Sequence, residues 1–141
     1  MKSLTPRPDG QLRRHRASRT ALLLLASVAT SALSGCSHGE ADAAALTGGG
    51  SPQRGATLIR SYGCGTCHTA PRVPGANATV GPNLQGIASR AYIAGVLPNT
   101  PNNMVTWIQN PQGVDEKTAM PNLGVSSRDA RDIAAYLYTL K

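Results

Sequence analysis

The chain has 141 residues, three cysteines, no phenylalanine and a formal net charge of +7. This length leaves room for one small domain and excludes a multidomain enzyme. Six of the 14 basic residues fall within the first 20 positions, whereas eight basic and six acidic residues from position 36 onward leave a net charge of +2. A nucleic-acid binder needs a dense basic face, so this part of the chain is not predicted to bind nucleic acid.

The amino-terminal segment has the layout of a secretory signal peptide, a basic stretch followed by a short apolar one. Residues 2–20 are rich in Arg and Lys, and residues 21–33 read ALLLLASVATSAL. This apolar run has 13 residues, whereas a membrane-spanning helix needs about 20. We therefore expect residues 1–35 to be a cleaved signal rather than a permanent transmembrane helix.

The sequence directly after this apolar run, Leu33-Ser34-Gly35-Cys36, resembles the lipobox of bacterial lipoproteins. The resemblance implies cleavage before Cys36 and attachment of lipid to its sulfur, which would anchor the protein on the periplasmic side of a bacterial membrane, inner or outer. The alternative is ordinary signal cleavage after Ser34, which also fits the small-x-small rule. That cleavage would leave a free thiol in an oxidising compartment.

Residues 36–51 connect this cysteine to the rest of the chain and consist mainly of small and polar residues. Such a composition buries little surface, so we expect a flexible tether with a reach of about 20 Å, in which the central alanines could form one helical turn. Residues 52–141 are predicted to be the folded domain. About 90 residues with few aromatic side chains make a thin core, which suggests that a group other than protein fills part of it.

Three helices are predicted in this domain, covering residues 52–62, 101–110 and 127–140. Each follows a residue whose side chain can cap a helix N-terminus, namely Ser51, Thr100 and Ser126. Pro111 should end the second helix. The Pro-, Gly- and Asn-rich stretches 69–86 and 111–125 are predicted to be loops, and no strand is predicted.

One motif dominates the domain: Cys64-Gly65-Thr66-Cys67-His68 has the C-x-x-C-H spacing of a c-type haem attachment site. Cysteines three positions apart face one side of a helical turn, so both can form thioethers along one porphyrin edge. The alternatives are a redox dithiol and half of a zinc site. A redox dithiol would follow a strand, and no strand is predicted here. A structural zinc site would need a second pair of ligands, which the predicted domain does not supply. The motif predicts one haem c, covalently attached through Cys64 and Cys67, with His68 on the iron.

The second axial ligand can be sought by elimination. The other histidines, His15 and His38, lie in the predicted signal and tether, which leaves none within the domain. Of the two methionines beyond the signal, Met104 lies within a predicted apolar helix, where a core role is expected. Met120 lies in a loop that can cover the open haem face, so we predict that it is the second iron ligand. The alternative is that Met120 only packs and the iron stays open.

With these motifs in this order, residues 53–140 resemble a class I mono-haem cytochrome c. The resemblance implies an all-α fold of about three to five short helices wrapped around one covalently bound haem. It implies that Gly55 and Ile59 of the first helix pack on Tyr136 and Leu137 of the last helix. Residues 90–120 also resemble cytochrome c domains that are associated with subunit II of haem–copper oxidases.

The resemblance also implies roles for residues outside the C-x-x-C-H motif. Pro82, in a Gly-Pro-Asn-Leu loop, would accept a hydrogen bond from His68 through its carbonyl and so fix the imidazole ring. Trp107 would lie against the macrocycle. Arg90 would lie near a haem propionate.

For function, the resemblance implies a one-electron carrier rather than an enzyme. It would be a membrane-anchored c-type cytochrome of a respiratory chain that passes electrons to a terminal cytochrome c oxidase or another redox protein, with no small-molecule substrate. The domain has only two lysines, Lys117 and Lys141, so electrostatic steering of partners should be weak. The alternative is a haem enzyme or gas sensor with an open sixth iron position, such as a peroxidase, which needs a distal acid–base residue.

Overall fold

The computed structural model describes residues 38–141, so the predicted signal peptide and Cys36 lie outside the described part of the chain. Its α-helices are α1 (His38–Leu46), α2 (Pro52–Ser61), α3 (Pro101–Gln109), α4 (Pro111–Val114) and α5 (Ser127–Tyr138). Single 3-10 turns cover Cys64–Thr66 and Ile87–Ser89, and β1 (Tyr92–Ile93) pairs antiparallel with β2 (Leu97–Pro98). The predicted all-α class is confirmed. None of the helices in residues 38–141 is long and apolar enough to cross a membrane.

The three predicted helix starts are confirmed by their capping bonds. In each case the side-chain oxygen of the residue before the helix accepts the backbone N–H of the third helical residue, which satisfies one of the unpaired donors of the first turn. The bonds are Arg54 N to Ser51 Oγ at 3.2 Å, Asn103 N to Thr100 Oγ1 at 3.3 Å and Asp129 N to Ser126 Oγ at 3.1 Å.

Helices α2 and α5 form the most extensive helix–helix contact within the described residues. They approach closely at Gly55, where a Cβ atom would lie 2.0 Å from the carbonyl oxygen of Asp132 and 2.8 Å from Cβ of Tyr136. A residue without a side chain is therefore required at this crossing. The predicted contact between Gly55 and Tyr136 is confirmed, and Ile59, one turn further along α2, is only 2% exposed.

Polar side chains join the same two helices beside this crossing. The guanidinium of Arg54 on α2 pairs with Asp129 at 2.5 Å and also with Asp132, both on α5. The hydroxyl of Tyr62 donates to Asp129 at 2.8 Å. This hydrogen bond, together with the bond from Ser126 and the charge of Arg54, holds the pKa of Asp129 below its ordinary value.

The flexible-tether prediction is wrong for residues 38–46, which form α1 and pack on α5. Ala43 is 1% exposed and Thr47 is 5% exposed. The alanine-rich stretch has a high helix propensity, and small side chains let α1 approach its neighbour closely. The hydroxyl of Thr47 donates to the carbonyl of Ala43 at 2.8 Å, and Gly48 and Gly49 end the helix with positive φ angles of 67° and 90°.

Two further local predictions need correction. Pro111 follows the end of α3 but also begins α4, because proline is well suited to a first helical position and Asn110 Oδ1 caps the new turn by accepting Gly113 N–H at 3.2 Å. The β1–β2 hairpin was not predicted. Its turn places both Ala94 and Gly95 at positive φ, and only the glycine is a usual sequence marker of such a turn.

Candidate haem-binding cleft

A cleft of about 400 Å³ opens between α2, α3, α5 and the loops that follow α2 and α4. Its lining is mainly apolar and includes Ile59, Ile108, Ile133 and Leu137. Within residues 38–141, the titratable groups that line it are two thiols, one imidazole and one guanidinium. Every residue of the domain for which the sequence predicts a haem-binding role lines this cleft: Cys64, Cys67, His68, Pro82, Arg90, Trp107 and Met120.

The C-x-x-C-H motif occupies a single tight turn at one wall of the cleft. Backbone N–H groups of Cys67 and His68 both donate to the carbonyl of Cys64, at 3.2 and 3.0 Å. The turn packs closely on the loop that follows, since a Cβ at Gly65 would lie 2.8 Å from Cα of Ala76. Both cysteines are half-buried free thiols, and the turn directs them into the same cleft.

The surroundings of the motif do not suit the alternative chemistries. Burial raises the pKa of the Cys64 thiol, whereas a redox dithiol has a nucleophilic cysteine with a lowered pKa. Within residues 38–141, no group of three or more His, Cys, Asp or Glu side chains is arranged to hold a metal ion. A structural zinc site would require four such ligands.

The imidazole of His68 is fixed by the loop of residues 81–85. Its Nδ1 lies 2.7 Å from the carbonyl oxygen of Pro82, the bond that the resemblance implied. A proton on Nδ1 makes that nitrogen the donor and leaves Nε2 free to bind a metal. The loop is held against the motif by Gly81 N–H, which donates to Cys67 O at 2.7 Å.

Gly81 has a role that the sequence analysis did not assign. A Cβ at this position would lie 2.5 Å from Cε1 and 2.7 Å from Nδ1 of His68. A side chain here would therefore displace either the imidazole or the loop. The Gly-Pro dipeptide was visible in the sequence, but its close approach to the ring depends on the tertiary fold.

Both methionines of the described chain line the cleft, and they differ in burial. Met104 lies within α3 and is 2% exposed. Met120 is half-buried in the loop between α4 and α5, where Gln112 Nε2 donates to its carbonyl at 2.8 Å and its own N–H donates to Thr118 Oγ1 at 3.3 Å. These bonds fix the backbone of Met120 while its thioether remains in the cleft.

Two further predicted residues border the cleft from other elements. Trp107, on α3, is 8% exposed and supplies a flat apolar wall. Arg90 follows the 3-10 turn Ile87–Ser89, and its Nη2 donates to the carbonyls of Asn83 at 2.6 Å and Gln85 at 3.2 Å. A guanidinium carries five N–H donors, so these bonds leave donors for an anionic group in the cleft.

Part of the apolar wall could not be read from the sequence. Ile87 and Ile93 are 6% and 2% exposed and line the cleft. The apolar residues around them follow neither a helical nor an alternating spacing, so hydrophobic periodicity did not indicate that these two side chains are buried. Their positions depend on the 3-10 turn and the hairpin that present them.

The donor set and the cleft fit a covalently bound haem. Two free thiols lie next to an imidazole whose Nε2 is available, and a thioether lines the same space. The remaining lining is apolar, as a porphyrin face requires, and the single guanidinium suits a carboxylate at the porphyrin edge. The composition likewise predicted that a group other than protein fills part of the core.

Comparisons with known proteins agree with this geometry. A stretch of 89 residues, 62% of this chain, is 32% identical to cytochrome c oxidase subunit 2 of Alkalihalophilus pseudofirmus and covers 25% of it, so the chain spans about a quarter of that relative. No solved structure matches. The sequence model of the cytochrome c family matches residues 52–141, which are the residues that form α2 to α5 and the cleft. The chain has the class I cytochrome c fold and belongs to the cytochrome c family.

Proposed function

We propose that this protein is a one-electron carrier of a respiratory chain, with one haem c bound in the cleft. The observation that carries the proposal is the meeting of the C-x-x-C-H turn and the Met120 loop in one apolar cleft. Among residues 38–141, no second imidazole and no carboxylate lines the cleft, whereas a peroxidase would need such an acid–base group. Its residues therefore suit electron transfer better than substrate chemistry.

Each residue of the cleft has a defined task in this proposal. Bound haem would supply reversible one-electron chemistry between ferric and ferrous iron. Cys64 and Cys67 hold the group through thioethers, and Pro82 orients the imidazole of His68. The thioether of Met120 would be the second protein ligand of the iron and would favour the ferrous state. The apolar wall would keep water away from most of the bound haem, so oxidation and reduction would require little solvent rearrangement.

The assignment of Met120 can be tested against Met104 as a matched control, because both side chains line the cleft. Met120→Ala should open the iron, remove the absorption band typical of a ferric iron–thioether bond and lower the reduction potential. Met104→Ala should keep the low-spin spectrum and cost about 2–5 kcal/mol of stability, since it creates a cavity in the core. The opposite pattern in the two spectra would overturn the ligand assignment. An open, high-spin iron in the wild type would instead favour the enzyme or sensor function.

The proposed electron acceptor is a terminal cytochrome c oxidase. Support comes from the relative that is itself named cytochrome c oxidase subunit 2, although the similarity covers only a quarter of it. The net charge of +2 from position 36 onward would be nearly balanced by two haem propionates. The domain would then have only a weak electrostatic field with which to attract a partner. Attachment to the membrane would compensate by raising the effective concentration of the carrier near the oxidase.

We further propose that acylated Cys36 provides this attachment and places the domain on the periplasmic side of a bacterial membrane. Cys36→Ser should move the protein from the membrane fraction to the soluble fraction without changing its haem spectrum. Fractionation of cells that express the wild type and the variant tests this directly. Membrane association that survives the substitution would contradict a lipid anchor at this residue.

A further inference from the structure

The side chain of Asn99, just before α3, joins two parts of the domain through three hydrogen bonds. Its Nδ2 donates to the carbonyl oxygens of Ile87 and Arg90, each at 2.8 Å. Its Oδ1 accepts the hydroxyl of Tyr138 at 2.8 Å. Both amide protons and the amide oxygen are therefore used, and they tie the turn before Arg90 to the end of α5.

The side chain of Arg90 continues this series of bonds towards the iron ligand. Its Nη2 donates to the carbonyl oxygen of Asn83 at 2.6 Å. Asn83 directly follows Pro82, whose carbonyl oxygen lies 2.7 Å from Nδ1 of His68. The loop that orients the imidazole is thus held at Gly81 by a backbone bond and at Asn83 by the guanidinium of Arg90. The backbone carbonyl of Arg90 is in turn held by Asn99.

We propose that Asn99 is a positioning residue for His68, acting through the side chain of Arg90. The inference rests on the proposed function, because it takes His68 as an iron ligand. The bond that a ligating histidine makes through its second nitrogen fixes the ring and raises its basicity. A more basic imidazole stabilises ferric iron, so loosening the 81–85 loop should weaken this effect and raise the reduction potential.

The test measures the reduction potential of the purified holoprotein and the hyperfine-shifted NMR signals of the His68 ring in the ferric state. Asn99→Ala should raise the potential and move the ring signals. Tyr138→Phe, which removes only a hydroxyl and keeps the buried ring, should cause a smaller change in the same direction. Asn103→Ala is the matched control, since the Asn103 amide donates at 2.9 Å to Pro98 O, outside the 81–90 segment. It should leave both readouts unchanged.

A second comparison separates positioning from general destabilisation. Arg90→Lys keeps the positive charge but removes the planar guanidinium that bonds to the 81–85 loop. Because Asn99 is proposed to act through this guanidinium, Asn99→Ala should shift the reduction potential less in the Arg90→Lys background than in the wild type. An Asn99→Ala variant that loses thermal stability but keeps the wild-type ring signals and potential would overturn the proposal. A full-sized shift in the Arg90→Lys background would also overturn it. Absence of covalently bound haem in the wild type would instead refute the proposed function.

Discussion

Gly55→Ala tests the close crossing of α2 and α5. The added Cβ would lie 2.0 Å from the carbonyl oxygen of Asp132 and 2.6 Å from its carbonyl carbon. A relaxed carbon–oxygen contact is roughly 3.3 Å or longer, so α2 would have to retreat by roughly 1.3 Å at this point. The obstacle is helix backbone, which cannot rotate away as a side chain can.

Overpacking of this kind lowers the free energy of unfolding by about 1–3 kcal/mol. We expect a loss of about 3 kcal/mol here, because the obstacle is backbone rather than a movable side chain. Replacing glycine by alanine within a helix returns about 1 kcal/mol of helix propensity. The net loss of about 2 kcal/mol should lower the melting temperature of a domain this size by about 8–16 °C. Circular dichroism of the holoprotein measures this change. Gly39→Ala in α1 is the control, because its Cβ would meet nothing within 4 Å. A wild-type melting temperature for Gly55→Ala would refute the crossing geometry.

Two more perturbations probe the core and the ion pairs. Replacing both Cys64 and Cys67 by Ala should leave a largely unfolded chain, because the apolar cleft would have nothing to fill it; a compact helical monomer without haem, seen by circular dichroism and gel filtration, would contradict this. Asp129→Asn should reduce stability at neutral pH and have less effect in acid. Tyr62 and the other partners of Asp129 lower its pKa in the folded state. The charged carboxylate therefore stabilises the fold at pH values above the unfolded-state pKa of about 3.9. This stabilisation is lost as the pH falls through the folded-state pKa. Melting curves of both proteins across acidic pH should converge; a constant difference would refute the linkage.

The features that the sequence predicted correctly depend on local chemistry. Ser51, Thr100 and Ser126 cap their helices as predicted because the bond links a side chain to a backbone N–H only three residues away. The C-x-x-C-H motif is similarly local, since one helical turn brings its side chains together. The bond between His68 and Pro82 spans 14 residues, and it was predicted only because the order of motifs resembled a known family.

The features that the sequence did not predict depend on tertiary contacts. The positive φ of Ala94 and the burial of Ile93 have no local marker, because alanine rarely adopts this conformation and a two-residue strand is too short to show alternation. The network around Asn99 joins residues up to 39 positions apart, so no spacing rule could indicate it. The docking of α1 also could not be predicted locally, because a composition of small residues fits both a mobile linker and a helix that packs on a neighbour.

The packing of α1 on α5 changes what a lipid anchor at Cys36 could do. Residues 38–46 are held against the domain, so they cannot add to the flexible reach that the sequence predicted for residues 36–51. Only Ser37 separates Cys36 from the first residue of α1. An anchor at Cys36 would therefore have a shorter flexible reach than the sequence predicted.

Ala43→Glu tests whether α1 is docked in solution, with Ala45→Glu as the matched control. Ala43 is 1% exposed, whereas Ala45 is exposed on the same helix. An unpaired carboxylate is too costly to bury at residue 43, so α1 should detach while α2 to α5 keep their fold. Hydrogen exchange of the holoprotein carrying Cys36→Ser measures this. The amide of Thr47, bonded to the carbonyl of Ala43 at 3.2 Å, should be protected in the parent protein and in Ala45→Glu and should lose protection in Ala43→Glu, with α5 unchanged. Rapid exchange at Thr47 in the parent protein would show that this segment is the free tether its composition suggested, and the shorter reach inferred for an anchor would be wrong.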